Sequence, residues 1–253
     1  MYARAAGYHA AVREGESRPA AAVVLASGAG VRVGGERNKV YLPLGGRSVA
    51  AWSLRTLATV PGIGPLVLVA RPQDKDLVAA MLAGELPGYQ VEVVPGGVAR
   101  QDSELMALRH LAPRIATGAI DVVLMHDAAR PLVTPELAAA VLAAAREYGG
   151  AVPGVPRDGL TMVSEDGSTA EADLGTMMAM QTPQGFLAGP LLDSYERAAT
   201  DGFTGTDTAS CVTRYTGTPV RCIPGDEQNI KITYPHDLVI AAKFLSAASQ
   251  PSG

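Results

Sequence analysis

The sequence predicts an α/β fold: three-layer, Rossmann-like, with a mostly parallel central sheet and a small protruding arm. Short apolar runs without polar alternation recur along the first half of the chain, as strands covered on both faces do. Stretches of helical length separate them, which makes βαβ units with right-handed crossovers. Polar, glycine-containing clusters follow the runs, at the strand ends where α/β sheets bind ligands.

The elements then follow in order. The run VVLA at 23–26 opens the sheet, and the next helix, 48–59, begins near Ser48, an N-cap type residue. A strand at 66–70, a helix at 73–83, a strand at 91–94, a helix at 102–111 and a strand at 122–125 come next. Thr134, Pro135 and Glu136 suit the N-cap, N1 and N2 positions of a helix over 135–148. After Val152 the pattern breaks. Residues 153–185 are rich in Pro, Gly, Asp, Thr and Met and lack a long apolar period, so they form an irregular excursion or a small hairpin arm. Met162, Met177, Met178 and Met180 cluster there; such adaptable side chains would pack on their own domain or cover a partner subunit. A helix at 188–200, a segment from Thr206 to Arg214, a strand at 219–223 and a last helix from Pro235 complete the chain. The expected organisation is a disordered tail over 1–19 and a single domain over 20–248, with 153–182 as an arm.

Composition narrows the class. The chain has 253 residues, 47% hydrophobic, with a formal net charge of −4, so a general affinity for nucleic acid or an anionic membrane is not expected. No run approaches the ~20 apolar residues needed to span a bilayer, and residues 1–19 lack the apolar core of a secretory signal. Cys211 and Cys222 have neither C-x-x-C spacing nor metal-ligand neighbours, and read as two buried free thiols in a reducing cytoplasm.

The most informative stretch is Ala21 to Lys39, AAVVLASGAGVRVGGERNK. An apolar strand opens there into a loop of small residues carrying Gly28, Gly30, Gly34 and Gly35 together with Arg32, Arg37 and Lys39. Glycine lets backbone N–H groups approach phosphate oxygens, and the cations neutralise them. The spacing G-x-G-x-x-x-G misses the dinucleotide fingerprint by one residue, and no helix starts at once. The loop runs roughly twenty residues, a length usually kept for function, and could wrap a triphosphate.

Five further polar clusters are expected at strand ends: PGGVARQDS at 95–103, HDAARP at 126–131, QTPQGF at 181–186, TGTD at 204–207 and QNIKITYPHDL at 228–238. Each alone has an ordinary explanation. Asp102 or Ser103, Thr206 and Asp207 suit helix caps, and Asp127 with Arg130 suits a structural ion pair. His126 reads as a packed strand-end residue, because no second His or Cys lies near it, and His110 as a surface residue. The set, six polar loops in a fixed order, is harder to explain so.

Together they resemble the 2-C-methyl-D-erythritol 4-phosphate cytidylyltransferase family, over roughly residues 20–247. The motifs are A-[AS]-G-x-G-x-R at Ala26 to Arg32, K-x-[YF] at Lys39 to Tyr41, and G-G-x-x-R-x-[DE]-[ST] at Gly96 to Ser103. HDAAR at 126–130, QTPQ-x-F at 181–186, T-[DE]-[DE]-A-S read as Thr206 to Ser210 and N-I-K at 229–231 complete them. The resemblance implies a CTP-dependent nucleotidyltransferase that releases pyrophosphate, with Arg32, Lys39 and Lys231 as catalytic cations. It implies that Ala26, Ser27, Gly28, Gly30, Gly97, Arg100, Ser103 and Ala128 bind the nucleotide, Arg100 and Ser103 choosing cytosine. Asp127, Arg130, Arg157, Thr182 and Thr206 would surround the acceptor. Mg²⁺ is implied as cofactor, held mainly by CTP phosphates with Asp127 the nearest protein candidate, and a homodimer as the assembly.

Two departures concern the acceptor side. Where the family has D-R-x-G-L, whose Arg reaches the acceptor phosphate from a partner's arm, this chain has Leu174; where it has P-V-x-D-T-x-K, Gly159 stands near the Thr and the Lys is missing. Arg157 is the arm's cation. The acceptor is therefore methylerythritol phosphate or another phosphorylated polyol, such as ribitol 5-phosphate, or a phosphonate. A non-catalytic nucleotide-binding module is the alternative of a different class, disfavoured by retention of Arg32 and Lys39.

Overall fold

The structure is a computed structural model that describes residues 19–28, 38–158, 162–163, 169–170 and 176–248. The tail over 1–18, Gly30, Arg32, Gly159 and Leu174 lie outside the described residues.

The chain starts with β1 (Ala20–Leu25) and returns through a 3₁₀ turn at Lys39–Tyr41. A short hairpin, β2 (Pro43–Leu44) and β3 (Arg47–Ser48), leads into α1 (Val49–Ala58). Then come β4 (Ile63–Ala70), α2 (Lys75–Glu85), β5 (Glu92–Pro95), α3 (Arg100–Ala116), β6 (Val122–Asp127) and α4 (Pro135–Tyr148). β1 pairs in parallel with both β4 and β6, and β4 with β5. The first half is thus the parallel βαβ array that the uninterrupted apolar runs predict.

The second half is more regular than its composition suggests. β7 (Gly150–Pro156), β10 (Met178–Met180) and β11 (Gln184–Leu187) are strands of the main sheet, which runs β10-β7-β11-β6-β1-β4-β5 with β12 (Val220–Pro224) on β7. β11 is antiparallel to β6 and β7, and β10 is antiparallel to β7. Pro153–Pro156 and Met178–Met180 are therefore sheet, within the stretch over 153–182 expected as an arm. A two-stranded hairpin, β8 (Met162–Val163) with β9 (Thr169–Ala170), lies there. Prolines and glycines interrupt β7 and a glycine interrupts β11, while β10 is only three residues long, so none shows as an apolar run. Gly185 is required by packing: a Cβ would press on Leu124, Val141 and Ala145. α5 (Ala188–Asp201), α6 (Thr208–Thr216) and α7 (Pro235–Ala248) complete the chain.

Alternate residues of β1 feed two cores. Ala20, Ala22 and Val24 join Leu54, Leu57, Met81, Val141 and Leu142 of α1, α2 and α4. Ala21 and Val23 join Leu108, Leu111, Leu191, Tyr195 and Cys211 of α3, α5 and α6. Apolar burial on both faces, at roughly 25 cal/mol per Å², holds the three layers. A third cluster, Leu44, Val49, Ile232 and Ala241, seats α7 on the β2–β3 hairpin.

Local chemistry sets the ends. Thr134 and Asp207 cap α4 and α6 through their side chains, as their sequence positions suggest. Ser48 precedes α1 but makes no cap bond; its N–H and hydroxyl both donate to Glu85 at 2.7–2.9 Å. α3 starts two residues earlier than expected, and Asp102 reaches back to accept from the Ala99 N–H at 2.9 Å. Both cysteines are free; Cys211 is buried, but Cys222 is exposed on the edge strand β12, against the expectation of two buried thiols. Among the described residues no helix is long and apolar enough to cross a membrane.

Candidate active site

A cavity of about 570 Å³ opens over the C-terminal ends of β1, β4, β5 and β6. Leu25 and Asp127 face each other in register across β1 and β6, so the sheet itself fixes where these strand ends deliver their loops.

One wall is backbone. Gly96 donates its N–H to the Ala70 carbonyl at 2.8 Å, which lays the 95–99 loop against the strand ends. A Cβ on Gly96 would collide with the Ser27 side chain, and one on Gly97 with Asp102, so only glycine allows this approach. The buried Ser103 hydroxyl ties the wall together. It accepts from Ser27 Oγ at 2.8 Å and from the Gly97 N–H at 3.1 Å, and donates to the Ala99 carbonyl at 3.0 Å.

The charged wall is built from three elements. Arg100 is the first residue of α3, where the helix dipole disfavours a cation. Its Nη1 lies 2.6 Å from Asp127 Oδ1 and its Nε 3.1 Å from Glu104 Oε1, and these carboxylates offset that cost. Lys231 takes the other Asp127 oxygen, Nζ to Oδ2 at 2.7 Å. Burial alone would raise the Asp127 pKa, but Arg100 and then Lys231 outweigh it and hold the carboxyl well below its ordinary range. Asp127 is thus a permanent anion bridging two cations. Arg130 adds a weaker attraction without a direct salt bridge to Asp127; it donates to the Asn229 carbonyl at 2.7 Å and the Met180 carbonyl at 3.3 Å.

Lys39 also lines the cavity, on the 3₁₀ turn Lys39–Tyr41. The buried Asn38 fastens this turn. Its amide donates to the Ala26 carbonyl at 2.8 Å and to Asp74 at 3.2 Å, while its Oδ1 accepts from the Val40 N–H. Asp74 in turn holds Arg71 in a two-bond pair at 2.7 and 2.8 Å.

Beneath the floor, His126 is fully buried. Its Nε2 lies 3.1 Å from the Arg130 carbonyl and 3.2 Å from Ser53 Oγ, and its Nδ1 lies 3.1 Å from Thr182 Oγ1. Thr182 accepts from the Asp127 N–H at 3.0 Å. A neutral ring with Nε2 protonated satisfies every contact. Burial pushes its pKa down to about 4 from 6.5. Below pH 6.5 the unfolded chain therefore takes up a proton that the folded chain refuses until about pH 4. Stability should fall as pH falls through that window, by about 1.4 kcal/mol per unit at most and about 3 kcal/mol in total. Urea unfolding at pH 7 and pH 5 measures this, and His126→Gln should flatten the difference; an equal pH dependence in the variant would refute it.

Of the site residues read from the sequence, Lys39, Lys231, Ser27, Gly28, Gly97, Arg100 and Asp127 line the cavity. Ser103 and Thr182 do not; they brace residues that do. Ala26 and Ala128 are buried, with Ala26 N–H and C=O and Ala128 N–H engaged internally. Thr206 and Arg157 are exposed and do not line it. Sequence reasoning passed over Asn38, Arg71, Gln73 and Ala99. Asn38 carried a signal, since a buried amide beside a catalytic-type Lys suits loop fastening.

Residues 20–247 match the family model described as IspD, 2-C-methyl-D-erythritol 4-phosphate cytidylyltransferase. A 2-C-methyl-D-erythritol 4-phosphate cytidylyltransferase of Symbiobacterium thermophilum is 38% identical over 231 residues, covering 90% of this chain and 93% of that protein. A bifunctional enzyme IspD/IspF of Dinoroseobacter shibae is 38% identical over 225 residues, covering 88% of this chain and 53% of the relative; the chain spans about half the length of such bifunctional relatives. Among solved structures, 4-diphosphocytidyl-2C-methyl-D-erythritol synthase of Anaerococcus prevotii superposes with a TM-score of 0.78 at 25% identity, covering 91% and 97% of the two chains. The 2-C-methyl-D-erythritol 4-phosphate cytidylyltransferase of Thermus thermophilus gives 0.68 at 28% identity, covering 88% and 98%.

Proposed function

The chain belongs to the 2-C-methyl-D-erythritol 4-phosphate cytidylyltransferase family, and from that premise we propose that it transfers the cytidylyl group of CTP to 2-C-methyl-D-erythritol 4-phosphate, releasing pyrophosphate. The carrying observation is the cavity: a glycine-lined backbone wall, with Arg100 and Lys231 on one carboxylate, Asp127, and Lys39 in the same lining.

The acceptor phosphate attacks the α-phosphorus of CTP, forming a new P–O bond as the bond to pyrophosphate breaks. With a second pKa near about 6, that phosphate is largely anionic at pH 7 and needs no general base. Asp127, held well below its ordinary range, would be a poor one. The protein's work is positioning and charge stabilisation. Lys39 lies where it can meet the triphosphate; Arg32, outside the described residues, takes its role from the resemblance. Lys231 and Asp127 border the acceptor end.

The residues suit a Mg²⁺ carried by the nucleotide rather than a protein-caged one. Among the described residues no group of three His, Cys, Asp or Glu is placed for a metal, and both Asp127 oxygens already face cations. When bound, Mg²⁺ would spread the phosphate charge, and Asp127 is the carboxylate in the cavity lining that could face it.

Pyrophosphate release with CTP and methylerythritol phosphate should give a kcat/KM of about 10⁴ M⁻¹s⁻¹ or more. UTP, ATP and GTP should be strongly disfavoured, because a base edge that leaves polar groups unpaired is rejected. Equal binding of all four nucleotides in calorimetry would refute the reading. Leu174 in place of the arm's arginine favours a second acceptor reading, ribitol 5-phosphate or a phosphonate, and the same assay with those acceptors decides between them.

The assembly we infer is a homodimer through the arm over 153–182. Met177 and Met180, 38% and 46% exposed, support this as apolar surface beside an edge strand. Light scattering at micromolar concentration should give twice the chain mass; a monomer would overturn it. The two free cysteines suit a reducing, cytoplasmic setting.

A further inference from the structure

We propose that Glu104, a buried carboxylate outside the cavity, is a positioning residue that holds the Arg100 guanidinium in register with Asp127 and so sets the preference for the nucleotide base. The inference rests on the cytidylyl-transfer reading above.

Glu104 is 1% exposed and does not line the cavity. An ionised carboxylate so buried must be paired and hydrogen-bonded. Oε1 accepts from Arg100 Nε at 3.1 Å and from Thr208 Oγ1 at 2.8 Å, and Oε2 accepts from Tyr195 OH at 2.6 Å. The donors stand on α3, α5 and α6, so three helices fix one carboxylate. Burial, and then the Glu104 charge, push the Tyr195 phenol well above its ordinary pKa, so it stays protonated and donates.

The consequence reaches the cavity through Arg100. A guanidinium is a rigid planar fork, and two contacts on different edges fix its plane. Asp127 on Nη1 alone would leave the fork free to swing; Glu104 on Nε removes that freedom. The remaining donor, Nη2, has no hydrogen-bond partner among the described residues. A helical Arg with Glu four residues on is the weaker order for such a pair, and Arg100 opposes the helix dipole. Helix stability does not explain the arrangement; holding a donor fork at the cavity edge does.

The test is steady-state kinetics with CTP and UTP on wild type, Glu104→Gln and Tyr195→Phe, with urea unfolding of each. Glu104→Gln should raise the KM for CTP about tenfold and narrow the CTP-over-UTP preference about tenfold, while kcat stays within about threefold, as for loss of a charge-assisted hydrogen bond. Tyr195→Phe, which leaves Arg100, Glu104 and Asp127 in place, should shift both the same way by about threefold. A merely structural role would lower the unfolding midpoint and the active fraction, hence kcat, without moving KM or the base preference. If Glu104→Gln does not fold, Tyr195→Phe decides. Wild-type KM and preference in the folded variants would overturn the inference alone. A wild type that does not distinguish CTP from UTP would overturn the functional reading beneath it, and this inference with it.

Discussion

Lys39→Met is expected to lower turnover about a hundredfold or more, the effect of losing one preorganised donor to a charge that grows in the transition state. Methionine keeps most of the aliphatic stem, so packing at this buried position is largely preserved while the ammonium group is removed. The loss should fall on kcat rather than on the KM for CTP, because a contact strengthened in the transition state does little for the ground state. Arg32→Ala should behave similarly, since the resemblance pairs the two cations at the triphosphate. Asn38→Ala should mimic part of the defect without touching charge, because Asn38 bolts the turn that carries Lys39 to the Ala26 carbonyl. Single-turnover kinetics with methylerythritol phosphate check all three. Normal turnover by Lys39→Met would sink the electrostatic account.

The parallel half of the fold was legible because β1, β4 and β6 each contain an apolar run without polar alternation, buried on both faces; β5 was named from its run although Val93 is 49% exposed. β7 and β11 were not, because their packing demands small or cyclic residues, and β10 is only three residues long. Gly150, Gly154 and Gly185 each lie against side chains that leave no room for a Cβ, so close packing erased the apolar pattern that would have announced it. The same holds at the site. Cavity residues on recognisable glycine and charge motifs, such as Gly97, Arg100 and Lys231, could be named from sequence. Their partners could not, since partnership is set by register. Asp127 and Arg130 are three residues apart and looked like a pair, yet the sheet places Asp127 against Arg100 and Lys231 and sends Arg130 to backbone carbonyls. Glu104 lies in the helix expected over 102–111 with no motif to mark it, and only tertiary packing shows that three helices converge on it.

Asp127→Ala should cost about 10²–10³ in kcat/KM and about 2–3 kcal/mol of stability. Removing one member of a buried ion network strands its partners, and for fully buried charges the cost reaches about 3–5 kcal/mol. Arg100 and Lys231 are 34% and 40% exposed, so water screens part of their repulsion and the lower figure applies. Activity suffers more than folding because both cations lose the placement on which substrate binding depends. Asp127→Asn separates the two effects. It keeps the side-chain shape and the backbone bond to Thr182, so most of the fold stability should survive, but a neutral amide cannot hold two cations. The pH profile tests the role directly. Because Asp127 stays ionised far below neutrality, an acidic limb near pH 6 should belong to the acceptor phosphate and persist in the residual activity of Asp127→Asn. A limb that vanished with the substitution would mean that Asp127 takes a proton in the reaction, and the anchoring role would fall.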